Sequence, residues 1–193
     1  MDLGRLTALA AQLRRCGWWD DAHRLGSSVR SSAERTSDLL VVGTPDEEPW
    51  HLVAHLADAA RYAPGVRPLP TLVRWQVPVT APRHLSVGIE RLADVRRSTL
   101  LVVAPEAAPA GLLQRVSDAR NRGATVLTLG GDDGSTAATD LAGLAHESVL
   151  LPTPDTVELD LAGHVVGAAA ATDGVATLLP RQTRRRGMFS RAS

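Results

Sequence analysis

The chain has 193 residues, with 21 basic and 21 acidic groups and 44% hydrophobic residues, enough for one domain with a full core and short for two. That balance excludes a disordered chain, and no apolar stretch approaches the roughly 20 residues that cross a bilayer, so a soluble, cytoplasmic protein without membrane contact is expected. Its single cysteine, Cys16, forms no internal disulfide, in keeping with a reducing compartment.

Leu3, Leu6, Leu9, Ala10 and Leu13 recur at helical spacing up to Gly17, and a second helix is expected over 19–35. Trp18 and Trp19 at the junction read as packing anchors. LLVVG (39–43) reads as a buried parallel strand. The segment TPDEEP leads into a helix at 50–63, with Pro49 suited to its first turn. A Pro/Gly-rich turn, a strand at 72–79 and a helix at 84–95 follow. TLLVVA (99–104) is a third strand, and the helix after it ends at Gly123. ATVLTLG (124–130) and SVLLP (148–152) supply two more strands around a short helix. The last helix begins at DTVE, where Asp155 and Glu158 have the spacing of a capping box, and runs to 171. Alternating elements of this length give an α/β fold, a doubly wound five-stranded parallel sheet with an N-terminal helical extension. Residues 1–36 are then N-terminal helices, 37–172 the α/β domain, and 173–193 a C-terminal segment with a disordered, Arg-rich tail. All 21 basic residues are Arg and Ile89 is the only isoleucine, a bias that reads as a GC-rich bacterial genome. Five of those Arg lie in 181–193, among them Arg184, Arg185 and Arg186, with no acid, so the body is mildly acidic.

From residue 85 the order of features resembles the SIS (sugar isomerase) domain family. Arg122-Gly123-Ala124, Gly134-Ser135, Leu141-Ala142 and Ala145-His146 stand at its landmarks: a helix ending in RGA, a "TN..GS" turn and a short helix with "LA..AD". The resemblance covers roughly residues 36–171 and implies a homodimer, to which the small-residue helix at 155–171 offers a close-packing face. In the sedoheptulose-phosphate isomerase branch an acid and a histidine on the last helix move protons, in a pattern like E-x-H-x-x-x-H. Glu158, Asp160 and His164 match that spacing, with Asp replacing the first His. Glu158 and His164 do not share a helix face, although Asp160 and His164 are one turn apart. The simpler reading is a capping Glu and an interface His.

The departure from the family lies in its phosphate loop, which resembles S-x-S-G-x-T at a helix N-terminus, where hydroxyls, N–H groups and the helix dipole favour an anion. Here the stretch is APEAAPAG (104–111): Glu106 and Ala107 stand in it, no hydroxyl is present, and Pro109 lacks an N–H. Where the family has a Gly- and Ser-rich turn after the first strand, this chain has GTPDEEPW, with Thr44, Asp46, Glu47 and Glu48. The fourth strand's loop adds Asp132, Asp133 and Ser135. Six acids therefore lie on three loops at one edge of the sheet and repel anionic ligands. Individually, Glu47, Glu48 and Glu106 also fit as acids that satisfy a helix dipole.

No cofactor is expected. His51 and His55 are spaced as zinc ligands, yet HLVAH lacks the adjacent Glu of a metalloprotease helix and no Cys cluster adds ligands, so a polar helix face is the alternative. No G-x-S-x-G elbow supports a serine hydrolase. The Arg-rich tail is a candidate for nucleic acid, for the acidic edge of the sheet, or for nothing beyond solubility. The expected function is a non-catalytic binding, scaffolding or regulatory module, with a protein partner at the acidic edge. The rival is an aldose-ketose isomerase or carbohydrate-derivative-binding protein that uses Glu158 and His164.

Overall fold

The structure is a computed structural model that describes residues 17–36, 38–62, 69–81, 85–131, 136–151 and 159–171. Five strands, β1 (Leu39–Val42), β2 (Pro70–Val73), β3 (Thr99–Ala104), β4 (Thr125–Gly131) and β5 (Glu147–Leu151), form one parallel sheet in the order β2-β1-β3-β4-β5. Near-continuous apolar runs build it because a parallel sheet is covered on both faces, and every residue of β1 and β3 is buried. Leu39, Val41, Leu101, Val103, Leu127 and Leu129 project to one face, under helices α1 (Trp18–Arg35), α2 (Trp50–Tyr62) and α5 (Leu159–Ala171). Leu40, Val42, Leu100, Val102, Ala104 and Val126 project to the other, under α3 (Ala110–Asn121) and α4 (Thr136–Leu144). The chain steps outward from β1 to β2 and then returns past β1 to β3. The order thus reverses between β1 and β3, the point at which open parallel sheets generally receive ligands, outside the carboxyl ends of the strands.

Helix α1 forms part of this domain's wall. It starts from Gly17 at φ 74°, and Leu25 and Val29 are fully buried against the sheet. Trp18 is a packing anchor as expected: it is buried, and its Nε1 donates to the Leu150 carbonyl at 2.9 Å. His23 Nε2 is buried with no hydrogen-bond partner among the described residues, and burial pushes this imidazole below its usual pKa, against the opposing pull of Asp20. Helix α5 fits between α1 and α2 through its small residues. A Cβ on Gly26 of α1 would lie 2.5 Å from the Ala169 Cβ, and one on Gly167 would lie 2.9 Å from the His55 Cβ. The face expected to meet a second subunit is therefore filled by the same chain.

Two elements differ from the sequence reading. The strand expected over 72–79 ends at Val73, because Arg74 and Trp75 turn their side chains onto the loop after β1. The helix expected at 84–95 shrinks to a 3-10 segment, Ile89–Asp94. Extended Gly88 bridges to Arg74, and the Val87 carbonyl accepts from the Arg74 N–H at 2.9 Å, so residues 87–88 follow β2 instead of coiling. The first expected helix, the capping box at 155–158 and the Arg-rich tail lie outside the described residues. Among the described residues, no helix is long and apolar enough to cross a membrane.

Candidate functional site

The loops after β1 and β3 flank the point where the strand order reverses. The first, 43–49, folds back over its own strand: a Cβ on Gly43 would overlap the Glu47 carbonyl and lie 2.7 Å from Pro49 Cδ. Only glycine tolerates that approach. Thr44 is buried, and its Oγ1 accepts the Glu47 N–H at 3.1 Å, so this hydroxyl caps its own turn. Glu48 is tied to Arg74, whose Nε lies 3.1 Å from both carboxylate oxygens and whose Nη2 lies 3.0 Å from Oε2. The two side chains are 18% and 16% exposed, so this is a shielded pair and not a surface contact. The guanidinium also sits 4.8 Å from the centre of the Trp50 ring, and Trp75 Nε1 donates to the Gly43 carbonyl at 2.9 Å. Of the three acids on this loop, Asp46 and Glu47 remain exposed.

Among the described residues, the second loop, 105–109, has no comparable clamp. Its Pro105 carbonyl lies against Gly131, where any Cβ would overlap it. Glu106 and Ala107 are exposed and Ala108 is buried. Pro109 is the N-cap of α3, and its carbonyl accepts from Leu112 and Leu113 at 2.8 and 3.1 Å. No side chain caps the helix and its first turn carries no acid. Glu106 stands ahead of that turn, and the first turn of α2 carries no acid either. Neither Glu48 nor Glu106 is thus placed inside a helix's first turn, the position at which an acid answers the dipole best. Asp132, Asp133 and Ser135 lie outside the described residues.

A small cleft opens on the α3/α4 side, between the β3 loop, the ends of β4 and β5, and α4. Glu106, Ala108, Thr128, Ala138, Ser148 and Leu150 are among its lining residues. Across the sheet, on the α1/α2/α5 side, the His55 and His164 rings meet with centres 3.8 Å apart and planes tilted by 42°. His51 and His164 are exposed and His55 is half-buried. Among the described residues, no three His, Cys, Asp or Glu side chains come together as metal ligands. Glu158 lies outside the described residues, and so does the Asp160 side chain.

The sequence reading missed Arg74 and Trp75, which it assigned to a strand, although a charged residue inside an apolar run was a signal. It also missed Thr128, which carries no sequence signal within a strand, and the meeting of His55 with His164.

No family model matches the sequence, and no curated protein matches it. Solved structures do match in fold. A protein from Silicibacter pomeroyi assigned as a phosphosugar isomerase superposes with a TM-score of 0.53 at 18% identity, covering 84% of this chain and 46% of that one. The sugar isomerase domain of an RpiR transcription factor from Sphaerobacter thermophilus gives 0.51 at 15% identity, covering 77% and 75%. A second protein assigned as a phosphosugar isomerase, from Salmonella typhimurium, gives 0.51 at 11% identity, covering 82% and 45%. The chain spans about half the length of the two isomerase-like proteins it matches. Together with the parallel sheet and its strand order, these matches give the chain the SIS (sugar isomerase) fold.

Proposed function

We propose that this chain is a non-catalytic binding or regulatory module that keeps the SIS fold and has lost its phosphosugar site. The carrying observation is the start of α3: Pro109 as N-cap, no capping side chain, no hydroxyl in 105–109, and an exposed Glu106 at the mouth. A phosphate placed there meets a carboxylate instead of hydroxyl donors, which reverses the sign of the interaction. Thr44, the hydroxyl on the neighbouring loop, is buried and folded into its own turn, where it accepts the Glu47 N–H. The RpiR transcription factor's sugar isomerase domain offers a precedent for this fold in a regulator. A protein partner at the exposed Asp46 and Glu47, homodimerisation, and contact of Arg184, Arg185 and Arg186 with nucleic acid belong to the same proposal.

Thermal shift across a panel of aldose and ketose phosphates tests it, since a ligand that binds only the native state raises stability by mass action. No stabilisation is expected, and a rise in Tm that grows with sugar-phosphate concentration overturns the reading. The rival, an isomerase using Glu158 and His164, draws on one observation, the exposed His164 ring against His55. It requires aldose-ketose interconversion that disappears in His164→Ala.

A further inference from the structure

We infer that the amino edge of the sheet, opposite the loops after β1 and β3, docks the phosphate backbone of double-stranded nucleic acid. The surface rests on the same reading of Arg184, Arg185 and Arg186 as nucleic-acid contacts and carries it into the folded domain. Leu39, Thr99 and Thr125 are in register on neighbouring strands, so the turns ahead of β1, β3 and β4 stand side by side, about 5 Å apart. Thr99 donates its N–H to the Asp38 carbonyl and Thr125 to the Ser98 carbonyl, both at 2.9 Å, which ties the three turns together. Arg35 lies ahead of β1, Arg96 and Arg97 ahead of β3, and Arg122 ahead of β4. All are exposed, and among the described residues none of their guanidiniums meets a carboxylate. Arg61, at the end of α2, is exposed at the same edge. Arg91 is neutralised there by Asp38 at 2.8 Å. The other acids are the exposed Glu34 and Asp94, with Asp58 and Asp118 a turn farther back in α2 and α3, so with Arg120 the edge is net positive among the described residues.

Position and not residue type is informative, since every basic residue of the chain is Arg. A cation at a helix C-terminus answers the dipole, which accounts for Arg35, Arg61 and Arg122 one by one. Arg96 and Arg97 follow a 3-10 segment instead, and Arg97 has φ 52°, in the left-handed region that costs a side chain about 1 kcal/mol or more. A charge is thus held at the centre of the edge against backbone strain. Helix α5 runs beside α2 in the same direction, with Gly163 on Leu52 and Gly167 on His55, so it too ends at this edge. The sequence goes on from there to Arg181, Arg184, Arg185, Arg186 and Arg191, and the segment 172–184 can span up to about 40 Å, enough to bring both sets of charge onto one ligand. Asp46, Glu47 and Glu106 stand exposed at the opposite edge, so a net charge of zero hides a polarity that turns the arginine edge toward a polyanion. None of the exposed large hydrophobics, Trp50, Leu69, Val79 and Leu150, lies in the turns ahead of β1, β3 and β4, where a protein interface or a membrane contact would need an apolar anchor. The tryptophans stand toward the carboxyl edge, at the starts of α1 and α2 and just past β2, so none offers unpaired bases a stacking platform beside the arginines. A regular array of phosphates, the backbone of a duplex, fits what is left.

The test is binding of the full chain to a short fluorescein-labelled DNA duplex, followed by anisotropy over a series of salt concentrations. Log affinity is expected to fall linearly with log salt, and Arg97→Gly to flatten that slope by about one. Its Tm is expected not to fall, since glycine relieves the left-handed strain. Arg96→Gln and Arg122→Gln added to it should flatten the slope by about three in all. Arg115→Gln, which removes the same charge from the exposed side of α3, is expected to change the slope far less. Equal flattening by Arg97→Gly and Arg115→Gln, or an unchanged slope in the triple variant, overturns the assignment. Should the triple variant fail to fold, Arg97→Gly against Arg115→Gln decides alone. Polyglutamate that competes as well as the duplex at equal charge overturns the choice of nucleic acid. If removal of 181–193 abolishes binding while the triple variant binds as wild type does, the edge falls and the tail contact stands. A wild-type chain silent toward the duplex overturns both, and leaves the reading of the phosphosugar site where it was.

Discussion

The loops after β1 and β3 leave neighbouring strands at the reversal point of the sheet, yet they are held in opposite ways. The β1 loop is closed by directed contacts: Arg74 on Glu48, Trp75 on the Gly43 carbonyl, Thr44 on the Glu47 amide. Among the described residues the β3 loop has no such clamp, and it ends in a helix with no side-chain cap behind an exposed carboxylate. One loop is thus set by contacts and the other by its composition. The first costs stability when broken, and the second can be altered with little effect on folding.

The largest effect is expected at Gly43. A methyl group there collides with backbone, which cannot rotate aside as a side chain can. Gly43→Ala should destabilise the chain by about 3 kcal/mol in chemical denaturation, at the upper end for inserted volume in a packed site. A loss below about 0.5 kcal/mol, the level of an ordinary surface change, would show that the loop is free to move and that its closure is not rigid.

Breaking the shielded ion pair comes next. Arg74→Met keeps much of the stem but leaves Glu48 part-buried with no counter-charge. A loss of about 2 kcal/mol is expected, below that of a fully buried pair because both side chains retain some water. A double-mutant cycle with Glu48→Gln should recover most of that coupling. Additive losses would mean that Arg74 acts through the Trp50 ring and not through the carboxylate.

The sequence made the strands legible because burial on both faces leaves little besides apolar residues: β3 begins and ends at 99 and 104 as read from TLLVVA. The overrun of β2 has a physical source in Arg74, whose partner Glu48 is 26 residues away and carries no local mark. For the same reason the charges of the β1 loop looked uniformly repulsive, although the Glu48 carboxylate is neutralised by its pair with Arg74. The stripe of Gly and Ala in α5 signalled close packing correctly but not against what, since a small residue specifies distance and not partner. The β3 loop was more readable than the β1 loop because its chemistry consists of missing hydroxyls and a missing N–H, and absences need no long-range contact to be seen.

The smallest effect on folding, and the most direct probe of the open loop, is expected from Glu106→Ser. Glu106 is exposed, and no ion pair or hydrogen bond engages it among the described residues. Its replacement should leave stability within about 0.5 kcal/mol of wild type. Anion affinity should respond, however, because two like charges about 4 Å apart in water repel by about 1 kcal/mol. Inorganic phosphate, titrated by NMR on the Ala110 and Gly111 amides, should therefore bind about fivefold more tightly to the variant than to wild type. The serine also returns one hydroxyl to a loop that has none, so the gain should exceed that of Glu106→Gln, which removes the charge alone. Equal, negligible gains in both variants would locate the obstacle to an anion in Pro109, whose ring replaces an N–H at the helix start, and not in the carboxylate.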